Sequence, residues 1–316
     1  MTTRKIAAAS RAILLAVFVW AASAAGAAEA PRLMLQITVD QLRADLPLRD
    51  YDQLGAGGFR LLYDGGVVYR DAHHPHAHTE TIVGHTTLAT GAYPAAHGMV
   101  GNLWFDRETG YITYNVEDAR YGLLTEGADV DEDTEIDPTQ RAARSDGRSP
   151  SAILVSTFSD ELRASTAGES KAIGVSVKDR GAISMAGHAG TAYWFSKAGG
   201  EFVTSSYYLD AYPGWVKAFN AERPAERYAG KSWQLMHRPG RYRNGDSDDR
   251  AWETDVAGFG RTFPHAYGDG TSPYFTTLLT LSPAGDELVL DFAKRALAAE
   301  QLGQDDATDY LSVSFS

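Results

Sequence analysis

The fold is decided by the stretch Leu33-Met34-Leu35-Gln36-Ile37-Thr38-Val39-Asp40, in which a short apolar, partly β-branched run ends at a carboxylate. Such a run predicts a buried strand. Residues 172–177 and 311–315 repeat the pattern, and polar residues follow each of them. In open α/β sheets, ligands bind beyond the carboxyl ends of the strands. The residues that follow the three strands are therefore candidates for a ligand site: Asp40, Lys178, Asp179, Arg180 and Ser316.

Helices are predicted between these strands, at residues 81–91, 152–164 and 286–302, where apolar side chains recur at the spacing of one helix face. The first helix places Ile82, His85, Leu88 and Ala89 on that face, and the second places Leu154, Val155, Phe158 and Leu162 there. Residues 129–150 are polar and acidic and contain glycine and proline, which predicts a loop. Strands that alternate with helices predict an α/β fold with a mostly parallel central sheet and helices on both faces.

The composition restricts the classes of function. The chain has 316 residues, of which 44% are hydrophobic and 22% are charged, an ordinary balance for a globular protein. Its formal net charge is −12, so nucleic acid is not an expected partner, whereas a small anionic substrate is compatible with local donors. The chain contains no cysteine, which excludes thiolate catalysis and thiolate zinc sites.

The N-terminus has the organisation of a secretory signal peptide. Basic residues including Arg11 precede the apolar run 12–20, and Ala25-Gly26-Ala27 fits a cleavage site. The run is shorter than the about 20 apolar residues that a membrane-spanning helix needs. We therefore expect a signal peptide at residues 1–27 and a periplasmic or secreted mature protein without a stable membrane span.

The densest group of chemically active residues is His73-His74-Pro75-His76-Ala77-His78-Thr79-Glu80-Thr81-Ile82-Val83-Gly84-His85. The four histidines before Thr79 suggest a metal cluster, but Pro75 interrupts them, and the alternative is a half-buried approach to the helix. Thr81 also has two interpretations. It caps the helix, or it is a nucleophile whose alkoxide and phosphoryl forms the helix N-terminus stabilises. Thr79 is an equal rival, and His85 either orients the helix start or fills the core.

Residues elsewhere in the chain favour the nucleophile. Asn102 lies in a glycine-flanked turn that can aim its amide at a bound oxygen. Lys178 and Arg180 are two residues apart at a strand end, where a planar guanidinium and a compact ammonium suit a phosphate group. Asp40 offers a hard oxygen ligand in a plausible metal position.

Several ordered motifs carry a family resemblance between about residues 33 and 316. They are Val39-Asp40-Gln41-Leu42-Arg43, Thr81-x-x-Gly84-His85, Thr90-Gly91-Ala92-Tyr93-Pro94-x-x-His97-Gly98, Gly101-Asn102 and Val177-Lys178-Asp179-Arg180-Gly181-Ala182. With these motifs the chain resembles the alkaline phosphatase superfamily. The closest branch is that of periplasmic alkaline phosphatases with a threonine nucleophile, relatives of the nucleotide pyrophosphatase/phosphodiesterases.

The resemblance implies a role for each matched residue. Thr81 would be the nucleophile and, with Asp40, a ligand of one of two Zn²⁺ ions. Asn102 would donate to a phosphate oxygen, and Lys178 and Arg180 would stabilise the extra charge of a phosphate monoester. The expected reaction is hydrolysis of small-molecule phosphate monoesters through a phospho-threonine intermediate, by a protein that we expect to be a monomer.

The chain also departs from the family pattern. The family's Asp-His dipeptide does not occur, and the Asp-x-x-x-His motif expected after the last strand is missing. We therefore expect that residues 28–316 are the N-terminal portion of a catalytic domain that lacks its C-terminal part and the remaining zinc ligands. We do not expect His188 or His265 to replace these ligands, and we expect the acidic run 129–133 to be a solvated loop. Two alternatives stay open: a phosphodiesterase or nucleotide pyrophosphatase, and an inactive phosphate-binding fragment.

Overall fold

The computed structural model describes residues 30–245 and 247–316, so the expected signal peptide lies outside the described residues. The strands are β1 (Leu33–Val39), β2 (Leu103–Asp106), β3 (Tyr111–Tyr114), β4 (Ala172–Ser176), β5 (Thr191–Ser196), β6 (Glu201–Val203), β7 (Ser232–Trp233), β8 (His265–Ala266) and β9 (Asp309–Phe315). Five of them form a sheet in the order β1-β9-β4-β5-β6. In this sheet β1, β9, β4 and β5 are parallel, and β6 is antiparallel to β5. β2–β3 and β7–β8 form separate antiparallel pairs.

Helices surround this sheet. They are α1 (Asp45–Arg49), α2 (Phe59–Gly65), α3 (Thr81–Thr90), α4 (Pro94–His97), α5 (Pro138–Arg141), α6 (Phe158–Ser165), α7 (Asp179–Ala186), α8 (Gly214–Ala221), α9 (Phe275–Thr280) and α10 (Pro283–Ala299). Single 3₁₀ turns occupy Tyr51–Gln53, Pro224–Tyr228 and Pro239–Arg241. A search of the described ranges finds no helix with the length and apolarity needed to cross a bilayer.

Alternate residues of a strand point to opposite faces of the sheet, and each face packs against helices in a separate apolar cluster. On one face, Val175 of β4 packs in a cluster with Phe292 of α10. On the other face, Trp194 of β5 belongs to a second cluster with Ile183 of α7 and Ile82 of α3. The predicted α/β fold, a mostly parallel sheet with helices on both faces, is confirmed.

The strand that decided the fold lies where the sequence predicts it, but the prediction that it is buried is wrong. β1 is the outer strand of the described sheet and pairs only with β9 there. Leu35 is 55% exposed and Ile37 is 53% exposed, because α10 covers β9 and β4 but leaves the same face of β1 open. An apolar run therefore predicted the strand correctly but not its place in the sheet.

The predicted helices differ in accuracy. α3 begins at Thr81, as predicted, and ends at Thr90, where the following Gly91 adopts the left-handed conformation typical of a helix C-terminus. Of the four residues that the sequence places on one face, Ile82, His85 and Ala89 are buried, whereas Leu88 is 51% exposed. The second helix begins at Phe158 rather than near residue 152, because Thr157 and Asp160 form a reciprocal capping box that fixes its start. Leu154 consequently lies outside the helix and is 71% exposed.

Candidate active site

The site lies at the carboxyl edge of the parallel strands, where residues distant in sequence meet. The N–H of Asp40, directly after β1, donates to the carbonyl of Phe315 at the end of β9, at 2.8 Å. Lys178 follows β4 as the N-cap of α7. A cavity of about 370 Å³ opens at this edge and is bordered by residues that follow four strands: Gln41, Lys178, Lys197 and Ser316. The edge predicted from the sequence is therefore the one at which the candidate residues gather.

Thr81 is the first residue of α3, and the N-cap position belongs to Glu80. The Thr81 hydroxyl donates to a carboxylate oxygen of Asp40, with 3.0 Å between Oγ1 and Oδ2. A hydroxyl engaged in this way does not cap its helix, so the capping interpretation of Thr81 is not what the structure shows. The Thr81 oxygen therefore lies at the partly positive N-terminus of α3, with its proton directed to the Asp40 carboxylate.

His85 is buried one turn into α3 and holds the start of that helix. Its Nδ1 lies 2.8 Å from the carbonyl of Thr81, and its Nε2 lies 2.8 Å from Oγ of Ser314 on β9. Because a carbonyl only accepts, Nδ1 carries the proton in the neutral ring, and Nε2 accepts from Ser314. Burial lowers the pKa of His85 although Asp40 opposes this, which keeps the ring neutral. His85 therefore orients the helix start, one of the two roles that the sequence left open.

Lys178 and Thr81 share the same carboxylate oxygen. The Lys178 ammonium lies 3.0 Å from Oδ2 of Asp40, and both side chains are mostly buried. Burial alone would raise the pKa of Asp40, but the Lys178 ammonium and the Thr81 hydroxyl outweigh it and hold that pKa below its ordinary value. The Asp40 carboxylate is therefore ionised at neutral pH.

Asn102 lies between α4 and β2 with its backbone and side chain fixed by neighbours. Its Oδ1 accepts a hydrogen bond at 3.3 Å from the N–H of Ile82, the residue that follows Thr81. Its carbonyl accepts from Nδ2 of Asn115 at 2.7 Å. Because Oδ1 is turned to Ile82, the amide nitrogen Nδ2 points elsewhere, and no acceptor for it is found within the described ranges. Asn102 thus presents a donor beside Thr81.

Arg180 belongs to a buried network that the sequence did not predict. Its Nη1 donates to the hydroxyl of Tyr114 at 3.1 Å, and its Nη2 donates to the carboxylate of Asp137 at 2.9 Å. The Tyr114 hydroxyl donates in turn to Asp179 at 2.6 Å, and Arg148 donates to the same carboxylate at 2.7 Å. The guanidinium is therefore oriented from two sides.

The electrostatics of this network keep the Arg180 guanidinium and the Asp137 carboxylate charged. Arg180 is 3% exposed, and although burial disfavours its charge, Tyr114, Asp137 and Asp179 raise its pKa. Burial also opposes ionisation of Asp137, but the Arg180 guanidinium holds its pKa well below the ordinary value. Nε of Arg180 is buried and has no acceptor in the described part of the chain. A buried donor without a partner is costly, and an anionic oxygen would satisfy it.

Signals for the network were present but too weak to use. Asp137 lies in the acidic segment 129–150, which the sequence predicts to be a loop. In the structure α5 interrupts this loop, and Asp137 caps that helix. Tyr114 lies in a short strand with no motif around it. Only the hydrogen bonds to Arg180 distinguish these residues from their neighbours.

The expected metal site is only partly built by the described residues. Asp40 and Thr81 bring two oxygen donors to one point, which fits the hard oxygen ligands of a divalent cation. Within the described ranges no group of three or more His, Asp or Glu side chains could hold a metal ion. His188 pairs with Asp160 at 2.8 Å, and His265 bonds a backbone carbonyl, so neither lies at the site.

Within the described ranges, neither the histidine run before α3 nor the acidic loop forms a group of three or more potential metal ligands. The rings of His74 and His76 lie 5.1 Å apart in a tilted contact, and His78 approaches Glu80. Asp131 receives hydrogen bonds from residues of its own turn. His73, His74 and His78 are exposed and His76 is partly buried, so the run approaches α3 largely in contact with solvent, contrary to the half-buried approach expected from the sequence. Residues 131–133 of the acidic run are exposed, as expected for a solvated loop.

A family model of type I phosphodiesterases / nucleotide pyrophosphatases matches residues 34–283. The chain is 35% identical over 288 residues to alkaline phosphatase PhoV of Synechococcus elongatus, covering 90% of this chain and 50% of that protein. It is 34% identical to a Myroides odoratus protein named calcium-transporting ATPase, covering 95% and 53%. It is 32% identical to alkaline phosphatase PafA of Elizabethkingia meningoseptica, covering 90% and 50%. The chain thus spans about half the length of the curated relatives it matches.

Solved structures give the same match. The crystal structure of wild-type alkaline phosphatase PafA superposes with a TM-score of 0.80 at 32% identity, covering 92% of this chain and 54% of that chain. A second PafA structure, at the same TM-score, carries substitutions of a threonine, an asparagine, a lysine and an arginine. These are the residue types of Thr81, Asn102, Lys178 and Arg180.

Proposed function

Because the chain belongs to the type I phosphodiesterase / nucleotide pyrophosphatase family of the alkaline phosphatase superfamily, we propose that the protein hydrolyses phosphate monoesters with Thr81 as nucleophile. One observation carries the proposal: Asp40 Oδ2 lies 3.0 Å from both the Thr81 hydroxyl and the Lys178 ammonium, at the start of a helix. This arrangement combines a hydroxyl, a proton-accepting carboxylate and a cation at the point where an anionic substrate meets the helix N-terminus.

The proposed reaction begins with the Thr81 oxygen. Its proton already points to Asp40, so the lone pairs are free to attack phosphorus in line with the leaving group. The Asn102 amide donates to a non-bridging oxygen, and the helix N-terminus stabilises the negative charge on the phosphoryl group. As the bond from the Thr81 oxygen to phosphorus forms, the bond from phosphorus to the ester oxygen breaks, which gives a phospho-threonine at residue 81 and the alcohol with the proton released by Thr81. Water then hydrolyses the phospho-threonine, releasing inorganic phosphate and regenerating the hydroxyl.

A divalent cation, which we propose to be zinc, would be held by Asp40 and Thr81 together with ligands beyond those described. When bound, it supplies Lewis-acid stabilisation of the threonine alkoxide and of the phosphate. The family's phosphatases imply two such ions. The described residues contribute the carboxylate that binds and the hydroxyl that attacks.

Selectivity for monoesters is proposed from two cations. A monoester carries one more negative charge than a diester, and two cations lie at the start of α7: Lys178 is its N-cap and Arg180 is its second residue. The buried Nε of Arg180 lacks an acceptor among the described residues, which supports a role in receiving a phosphate oxygen. The runner-up is phosphodiester hydrolysis, which the name of the matching family favours.

We also propose export and a small-molecule substrate. Residues 1–27 have the pattern of a signal peptide, so we place the mature enzyme in the periplasm or outside the cell, as a monomer. The net charge of −12 disfavours polyanionic substrates and leaves small phosphate esters as the substrate class.

The test uses protein expressed from the complete reading frame and loaded with zinc. We expect hydrolysis of p-nitrophenyl phosphate, its loss on chelation, and at least a thousandfold loss in kcat on Thr81→Ala, since removal of a catalytic nucleophile is of that order. Thr79→Ala is the matched control, because it removes the rival hydroxyl and should leave the rate unchanged. Acid-quenched protein should carry phosphate on the peptide that contains Thr81.

Two outcomes would contradict the proposal. Faster hydrolysis of bis-(p-nitrophenyl) phosphate than of the monoester would establish the diesterase instead. Phosphate binding without turnover of either ester would leave a phosphate-binding protein that is not a hydrolase.

A further inference from the structure

Asn102 owes its orientation to something other than a helix or a strand. It lies in the connection between α4 and β2, after Gly98 in a left-handed conformation and next to Gly101. A donor aimed at phosphate must be held within about 0.5 Å of its working position. A loop residue meets this requirement only if its neighbours fix both its backbone and its side chain.

The carboxylate of Glu80 supplies the contact that the loop lacks. One oxygen, Oε2, accepts a hydrogen bond from the backbone N–H of Asn102. Glu80 is the N-cap residue of α3, but its side chain makes no capping bond to its own helix. The Glu80 carboxylate therefore does not cap the helix. Its described contacts are to the Asn102 N–H and, at 3.3 Å, to the exposed His78 ring.

The close packing of Gly101 supports this contact. A Cβ at Gly101 would lie 3.5 Å from Oε2 of Glu80 and 3.0 Å from the carbonyl oxygen of Leu103. The backbone of the loop thus approaches Glu80 at the one position where no side chain intervenes. The contact with Glu80 is an ordinary van der Waals distance, whereas the one with the Leu103 carbonyl oxygen is tight, so a side chain at residue 101 would first displace the backbone that follows Asn102.

Glu80 also links the two candidate groups directly. It precedes Thr81 in the chain, and Asn102 returns a contact through Oδ1 to the N–H of Ile82, which follows Thr81. The nucleophile is therefore bracketed by two residues that both bond Asn102. Asn115 holds the opposite end of the same residue by donating to its carbonyl at 2.7 Å.

From this geometry we infer that Glu80 is a positioning residue. By holding the backbone N–H of Asn102, it fixes the side-chain amide of Asn102 relative to Thr81 so that Nδ2 meets a phosphate oxygen. The inference rests on the proposed function, because it assigns the occupant of that amide to a phosphate group. It assigns a role to a carboxylate whose described polar contacts are the Asn102 N–H and the His78 ring.

The experiment separates orientation from chemistry by using two readouts. In zinc-loaded protein from the complete reading frame, amide hydrogen exchange of residues 98–105 is measured, and the Kd of inorganic phosphate is measured by calorimetry. Glu80→Ala should speed hydrogen exchange at the backbone N–H of Asn102 about tenfold and weaken phosphate binding about tenfold, since a hydrogen bond to a charged group is of that strength. Glu80→Gln keeps a side-chain oxygen and should lie within about threefold of wild type.

A double-mutant cycle decides whether Glu80 acts through Asn102. In an Asn102→Ala background, Glu80→Ala should weaken phosphate no further, because the positioned donor is already gone. The same tenfold loss in that background, or unchanged exchange at the Asn102 amide, would overturn the inference. Phosphate affinity that is unaffected by Asn102→Ala itself would overturn it too.

The outcomes also separate this inference from the proposed function. Phosphate binding that follows the cycle in a protein without esterase activity would refute the hydrolase and keep Glu80 as a positioning residue. Hydrolysis and binding that depend on Asn102 but ignore Glu80→Ala would keep the hydrolase and refute the positioning role.

Discussion

Replacing Asp137 by Asn tests whether the buried network aims Arg180. The Asp137 carboxylate lies 2.9 Å from Nη2 of Arg180, with side-chain exposures of 21% and 4%. Its other oxygen accepts from the N–H of Thr139 at 2.9 Å as the cap of α5. Asn caps a helix as well as Asp does, so Asp137→Asn keeps the cap and replaces only the acceptor that faces the guanidinium.

The expected size follows from these contacts. A buried hydrogen bond between charged groups contributes about 1.5–3 kcal/mol. Arg180 keeps Tyr114 and the nearby Asp179 as partners, so we expect a loss of about 2 kcal/mol, toward the lower end of that range. If all of it appears in the transition state, kcat/KM for a monoester falls about 30-fold.

The assay measures kcat/KM for p-nitrophenyl phosphate in zinc-loaded protein, and urea unfolding of the metal-free protein. Asp137→Ala serves as the comparison, because it also removes the cap and should destabilise the fold further. A change in kcat/KM below threefold would refute the reasoning. So would an equal loss when Asp137→Asn is added to Arg180→Ala, because the carboxylate would then act independently of the arginine.

Two further predictions concern stability. The pKa of His188 is raised chiefly by its hydrogen bond to Asp160, so the pair stabilises fully below the unfolded histidine pKa and loses this as pH rises through the folded value. His188→Gln should therefore cost about 0.5–1 kcal/mol in urea unfolding at pH 5 and less at pH 8, and an equal cost at both would contradict the pair. Gly174→Ala places a Cβ 2.4 Å from the carbonyl oxygen of Ala182 and should destabilise by about 3 kcal/mol or more in thermal unfolding. Gly84→Ala meets nothing within 4 Å and should leave stability unchanged or raise it by up to about 1 kcal/mol; similar effects of both substitutions would refute the backbone clash.

The sequence predicted the parts of the fold that depend on local pattern. The strands predicted at residues 33–39 and 311–315 were found because apolar, β-branched runs end at polar residues, although the second strand begins two residues earlier, at Asp309. α3 was found because residues such as Ile82, His85 and Ala89 recur at helical spacing. The start of α6 was missed because a capping box, Thr157 with Asp160, outweighs the apolar residues that precede it.

The candidate site was predictable where residues follow strands or begin helices. Asp40, Thr81 and Lys178 meet as the parallel topology requires, and one oxygen of Asp40 contacts the other two. Asp137 was not predictable, because its contact with Arg180 joins residues 43 positions apart through a loop without a pattern. The exposure of β1 was not predictable either, since the composition of a strand does not specify which neighbours cover it.

The second apolar cluster has a consequence for how substitutions spread. α3 begins at Thr81 and α7 begins beside Arg180, and both helices then run into the same interior, where Ile82, Val83 and Ile183 are completely buried. Interiors this close-packed respond to the addition of a single methylene by shifting backbone. An enlarged side chain there displaces two helix starts together and alters the separation of Thr81 and Arg180. Under the proposed mechanism, the hydrophobic interior therefore also determines the alignment of Thr81 with Arg180, and the substitutions that it tolerates are limited by the site as well as by stability.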